Sequence, residues 1–252
     1  MTEPAALALA AGAGLLGGAM NALAGGGSFA TMPALIALGL PSPVANATSN
    51  VALQPGAIAS AWAYRAGLAP IGGIGVRTLA LVTFIGAVAG GVLLVVTPVK
   101  TFDLVIPWLL LAATLALALG RRGADWLHRH ARIGPATLVG VQLLLGIYGG
   151  YFGGAVGLMM VAAWGLLAGA EPHALAAPRT LMLAVANAAA TIVFIACLMV
   201  SWALCLPMLL GAVAGGHYGA RLGRRLPPRA VRVWTLLVTG GTTFVFFYRA
   251  YR

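Results

Sequence analysis

The sequence predicts an all-α polytopic membrane protein, built as two inverted-topology repeats of about five segments each. Three observations predict it. Of 252 residues, 61% are hydrophobic and 8% charged, with a mean hydropathy of +0.99. Soluble domains carry roughly 25% charged residues, so this chain has too few polar groups to cover a water-facing surface. Second, its apolar runs are long and continuous, which suits helices and not the short alternating segments of a membrane β-barrel. Third, a glycine-rich interruption occurs twice, about 130 residues apart: Asn21-Ala-Leu-Ala-Gly25-Gly26-Gly27-Ser28-Phe29, then Tyr148-Gly149-Gly150-Tyr151-Phe152-Gly153-Gly154-Ala-Val-Gly157. Paired breaks at matching positions of two halves point to the substrate site of a transporter.

The elements follow in order. A full span takes about 20 apolar residues. Segments are expected near 4–23, 28–40, 44–66, 75–97, 102–120, 134–153, 155–170, 173–200, 202–220 and 231–249. The second and seventh are short and read with their predecessors as helices broken at glycine. Non-helical backbone at membrane depth survives only inside protein or against a cavity. The first repeat is placed at 1–120, a basic cytoplasmic linker at 121–133 and the second repeat at 134–252. The N-terminus, Met1-Thr2-Glu3-Pro4, lacks the basic region of a cleavable signal peptide, so the first run reads as a retained span.

The net charge of +11 is clustered. Arg121, Arg122, Arg129 and Arg132 form one group, and Arg221, Arg224, Arg225, Arg229 and Arg232 another. Basic loops stay inside, so these clusters predict a multi-pass protein of the cell (inner) membrane. They do not predict nucleic-acid binding, which needs a soluble basic face. Counting back puts the Arg65/Arg77 loop inside and both the Lys100/Asp103 loop and the N-terminus outside. Segment one then runs inward and segment six outward, the inverted plan of many transporters. The tail with Arg249 and Arg252 falls outside, against the charge rule.

Several residues are candidates for chemistry. Arg179 precedes a strongly apolar stretch, Leu181–Val200, with Glu171 the nearest acid. An intramembrane cation marks a functional site by default, and the guanidinium fork suits an oxyanion. The alternative is an interfacial anchor snorkelling to headgroups. Asn46, Asn50 and Gln54 share one helix face by the i, i+4 rule, with Thr48 and Ser49 between them. Such a stripe lines a substrate path or binds helices together by hydrogen bonds. The sequon Asn46-Ala-Thr48 reads as chance in this apolar context. Gly25, Gly26, Gly27 and Ser28 open a helix whose N–H groups can hold an anion, and Gly153, Gly154 and Gly157 face them from the second half. Close helix packing is the alternative for the glycines, as for Gly86/Gly90, Gly211/Gly215 and Gly215/Gly219. Thr180 adjoins Arg179, and Asn187 lies two turns beyond it. Asn21 is a weaker polar candidate, as are Tyr148 and Tyr151, which also suit interfacial aromatics.

These residues resemble the sulfite exporter TauE/SafE family of permeases. Each half of that family opens with a glycine-rich break, passes through a short helix into a Pro/Leu-rich stretch, and then shows a small-polar motif. Here the first half reads Gly25-Gly26-Gly27-Ser28-Phe29, Met32-Pro33-Ala34-Leu35 and Ala45-Asn46-Ala47-Thr48-Ser49-Asn50. The second shows Gly149, Gly150, Gly153, Gly154 and Gly157, with Arg179 where a basic residue is common. The resemblance spans nearly the whole chain and implies a permease for sulfite, sulfonates or other small anions.

Other classes fit less well. Gly12-Ala-Gly14-Leu-Leu-Gly17 imitates a dinucleotide fingerprint, but no strand precedes it and no acid follows at the right distance. No zinc-protease, Walker or nucleophile-elbow motif occurs, so neither an enzyme nor a cofactor or metal is expected. Cys197 and Cys205 read as small buried hydrophobes. None of the four acids, Glu3, Asp103, Asp125 and Glu171, lies deep in an apolar segment, which argues against a carboxylate proton relay. The expectation is export of a small anion by alternating access in the lipid bilayer. The competing readings are uptake or export of another small solute, and a non-transporting scaffold. The small-residue faces suit a homodimer as well as packing within one chain.

Overall fold

The computed structural model describes residues 3–23, 26–128, 134–154, 156–168, 174–223 and 228–251, all of them in helices, turns and short connections with no β-sheet. The helices are α1 (Pro4–Leu23), α2 (Ser28–Ala37), α3 (Ser42–Tyr64), α4 (Val76–Val96), α5 (Val99–His128), α6 (Pro135–Tyr151), α7 (Val156–Ala168), α8 (Ala176–Ala196), α9 (Trp202–Gly223) and α10 (Pro228–Tyr251). They match the ten expected segments in order. Among the described residues, four stretches are long and apolar enough to cross a bilayer on their own: α1, α4, Val99–Ala116 of α5, and α8. Side chains such as Leu210 and Phe244, 70% and 72% exposed, coat the outside, as a lipid-facing surface requires. The chain is an all-α membrane protein.

Helix α5 is longer than expected: its backbone stays helical through His128, into the stretch assigned to the linker. Residues 129–133 lie outside the described residues. Cys205 is buried and Cys197 exposed, both as free thiols, so the expectation of burial holds only for Cys205. Cys197 caps the end of α8 instead of facing its core. Tyr151 is buried and edge-on to Phe102. The Tyr148 hydroxyl donates to the carbonyls of Leu109 and Gly154. Both tyrosines therefore serve the interior and not a membrane interface.

Two glycine seams set the packing. On α1 and α9, a Cβ at Gly14, Gly18, Gly211 or Gly215 would strike the backbone of Met208, Ala212, Ala11 or Leu15 respectively. On α4 and α6, Gly90 and Gly150 would strike Ile147 and Ala87. Only glycine lets backbones approach this closely, and the numbers rise together along each pair, so each pair is parallel. These faces are filled within the chain. In contrast, α3 and α8 cross antiparallel: Gln54 reaches Ala184 while Asn50 reaches Thr191. Helices α5 and α10 are antiparallel too, through Thr114 with Thr243 and Trp108 with Tyr251.

A buried network joins α4, α6 and α7 and was not anticipated. Gln142 donates to Thr83 at 2.7 Å and accepts from the Trp164 indole at 2.9 Å. A lone amide in an otherwise apolar helix is the signal that could have found it. All its partners are protein groups, so its role is structural. Gln142→Leu should lower the thermal midpoint in detergent, by about 1 kcal/mol, and leave any ligand-induced shift intact. A lost ligand shift would give Gln142 a functional role instead.

Candidate functional site

The α3–α8 crossing carries the polar stripe into the centre of the protein. Asn46 donates to the Tyr151 carbonyl at 3.0 Å, Asn50 accepts from Thr191 at 3.1 Å, and Gln54 donates to the Ala184 carbonyl at 3.2 Å. The stripe of the first half thus reaches the second break and the second small-polar helix. At that break α6 ends at Tyr151, and Gly153 takes φ +72°, where L side chains are strained. A Cβ there would lie 3.1 Å from the Asn50 amide nitrogen. Pro55 sits inside α3 beside Gln54 and withdraws one backbone N–H from the helix ladder. The sequon asparagine, Asn46, is 2% exposed.

One turn along α3 from Gln54, an internal cavity opens between α1, α3, α7 and α8. Asn21, Ala57, Ser60, Tyr64, Gly157, Arg179, Thr180 and Leu183 line it. Its room for water centres is about 20 Å³, enough for roughly one water. An oxyanion of several heavy atoms needs the walls to part. Arg179 is its cation. Among the described residues, no hydrogen bond or ion pair engages the guanidinium, and its Cγ lies 3.4 Å from where a Gly157 Cβ would be. Gly157 therefore packs beside the arginine stem, where an added Cβ would be in ordinary van der Waals contact. Arg65, just past Tyr64, stacks over Trp62 at 4.0 Å on the exposed end of α3.

The expected residues divide. Arg179, Thr180, Gly157 and the weaker candidate Asn21 line one cavity; Gln54 and Asn187 sit one turn deeper. Asn46, Asn50 and Gly153 continue the stripe beyond them. Others face elsewhere. The Ser49 hydroxyl lies 2.5 Å from that of Thr31 on α2, and Thr48 accepts from the Ser201 backbone of the α8–α9 connection. Gly27 packs under Gly17, whose oxygen would lie 2.5 Å from an added Cβ. Gly26 and Ser28 do not line the cavity, and neither does Gly154, whose carbonyl holds Tyr148. Gly25 lies outside the described residues. Ser60 and Tyr64 were missed, although they continue the 3.6-residue rhythm of 46, 50, 54 and 57.

At the other end of α3, the Ser42 hydroxyl donates to Asp103. Asp103, Lys100, Leu104, Phe246 and Arg249 line an open cavity of about 320 Å³. Polar groups therefore run the length of α3, with a basic cavity at each end.

Comparison with known proteins gives a consistent answer. The family profile described as "Sulfite exporter TauE/SafE" matches residues 10–245. A "Probable membrane transporter protein" of Haemophilus influenzae is 28% identical over 211 residues, covering 83% of this chain and 82% of that protein. The "Probable membrane transporter protein YfcA" of Escherichia coli K12 is 27% identical over 240 residues, 95% of this chain and 88% of its own length. The "Probable membrane transporter protein ORF9" of a Sinorhizobium species is 27% identical over 232 residues, 90% and 87% of the two chains. No solved structure matches the chain.

Proposed function

This chain belongs to the sulfite exporter TauE/SafE family, a family of membrane permeases and not of enzymes, and from that premise we propose that it exports a small anion, sulfite or an organosulfonate. Arg179 carries the reading: a guanidinium in an internal cavity, engaged by no described protein group, beside a glycine break. Its five donors match an oxyanion. Asn21, Ser60 and Tyr64 add polar groups to the cavity, whereas the Thr180 hydroxyl is spent on the Ala177 carbonyl.

The mechanism we infer is alternating access between two inverted halves of a multi-pass inner-membrane protein. Helices α3 and α8 lie antiparallel, and Gln54 meets Ala184, its counterpart 130 residues on. The antiparallel α5–α10 pair repeats the pattern. Both support a twofold relation in the membrane plane. Charge distribution orients the Tyr64–Arg179 end to the cytoplasm, so the anion enters there, passes the amide stripe and leaves beside Lys100 and Arg249. The stripe contains no carboxylate. A negative-inside potential then drives efflux, with about 2.3 kcal/mol per charge per 100 mV, roughly 50-fold in concentration.

Purified protein in liposomes tests this. An inside-negative potassium diffusion potential should drive efflux of loaded sulfite with no pH gradient imposed. Flux that needs a pH gradient and ignores the potential would overturn the coupling. No flux of any sulfur oxyanion would overturn the substrate.

A further inference from the structure

Among the described residues, three buried amide oxygens have no donor: Asn46 Oδ1, Gln54 Oε1 and Asn187 Oδ1. Their side chains are 2%, 7% and 5% exposed. For Asn46 and Gln54 the amide orientation is fixed chemically, because each nitrogen faces a backbone carbonyl that can only accept. Turning either amide over would set two acceptors against each other. The oxygens of two other buried amides are paired: Gln142 accepts from Trp164 and Asn50 from Thr191. Buried acceptors are rarely left unpaired, and each exception calls for a reason.

Position supplies the reason. Ala57 on α3 and Leu183 on α8 line the Arg179 cavity. Gln54 and Asn187 stand one turn further in on the same two helices, behind that apolar floor. Gln54 is bonded to Ala184, on the same face of α8 as Asn187. The cavity therefore presents donors, from Arg179, and one turn behind its floor stands the Gln54 oxygen, an acceptor with no donor among the described residues. An oxyanion bearing no hydrogen satisfies the guanidinium and would face that amide oxygen lone pair to lone pair. An anion that also carries O–H or N–H satisfies both.

We propose that Gln54 is a specificity-determining residue, whose amide oxygen, unpaired among the described residues, selects small oxoacid anions bearing their own O–H or N–H donor. This rests on the reading of Arg179 as the anion site, and it narrows the ligand class beyond charge and size. A site with buried acceptors discriminates strongly against the analogue that leaves them unpaired.

The test uses the full chain in detergent and two matched ligand pairs, ethanesulfonate with 2-hydroxyethanesulfonate and propionate with 3-hydroxypropionate, each titrated by thermal shift and calorimetry. In the unaltered protein the hydroxylated member of each pair should bind at least about tenfold tighter. The variant Gln54→Leu should bring each pair within about twofold. Arg179→Ala should lose all four ligands. Equal binding of both members by the unaltered protein, lost in Arg179→Ala, overturns the amide proposal and leaves the arginine reading intact. That comparison needs no amide variant to fold. No binding of any ligand overturns both. Amide-dependent stabilisation by sodium chloride over choline chloride also overturns the proposal, since the oxygen would then serve a cation.

Discussion

Replacing Gly90 or Gly215 by valine should abolish folded protein, while Gly12→Ala leaves it intact. A Cβ at Gly90 would be driven into the carbonyl oxygen of Ile147 and lie 2.7 Å from the Tyr151 nitrogen. At Gly215 it would meet the carbonyl of Leu15. In both cases the obstacle is the backbone of the facing helix, which no rotamer change relieves. The helices must separate, and with them go the seams that hold α1 on α9 and α4 on α6. We expect a loss of about 3 kcal/mol or more, large for a single substitution. At Gly12 nothing lies within 4 Å of the new atom, and alanine is the better helix former by roughly 1 kcal/mol. Size-exclusion of fluorescently tagged protein reads the result: no monodisperse peak for Gly90→Val or Gly215→Val, and an unchanged or sharper peak for Gly12→Ala. A normal peak for either valine variant would mean that the seams do not hold the halves together.

The fold was legible because the bilayer simplifies the reading. Apolar run length marks the helices, and glycine clusters mark where α1 gives way to α2 and α6 to α7. The amide stripe at 46, 50 and 54 was legible by rhythm, and Arg179 by its isolation. Rhythm tells which residues share a face, but not which helix lies opposite. That is why Thr48 and Ser49 looked like site residues, though Ser201 of the α8–α9 connection and Thr31 of α2 take up their hydroxyls. Gly27 looked like an anion cradle for a similar reason, since its close approach to Gly17 is a tertiary fact. Partner choice here is set by backbone approach at glycine, so the pair Gly86/Gly90 suggested close packing but not that α6 lies opposite. Ser60 and Tyr64 lie on the periodic extension of the stripe, nearly two and nearly three turns beyond Gln54, and following it to the end of α3 would have included them.

Arg179→Met should make the empty protein more stable and indifferent to anions. The two halves of this expectation separate a site from an anchor. A guanidinium in a small cavity, engaged by no described group, is desolvated without compensation from them, so an apolar chain of similar length is better tolerated there. An arginine at the centre of a membrane helix costs roughly 3 kcal/mol. Arg179 is only partly enclosed, so the gain should be about 1 kcal/mol. An anchor snorkelling to lipid headgroups predicts the reverse sign, because its removal forfeits a favourable contact. Ligand response is the second half. At an anion concentration of about 100 Kd, the unaltered protein should gain about 2.7 kcal/mol, and Arg179→Met nothing. Arg179→Lys keeps the charge but loses the two-pronged geometry, so its shift should be intermediate and should reappear at higher anion concentration. Thermal unfolding with and without sulfite, in the three proteins side by side, reads both signs at once. A less stable Arg179→Met that still responds to sulfite would move Arg179 to the membrane surface and send the search for the anion's partner to Lys100 and Arg249, at the other end of α3.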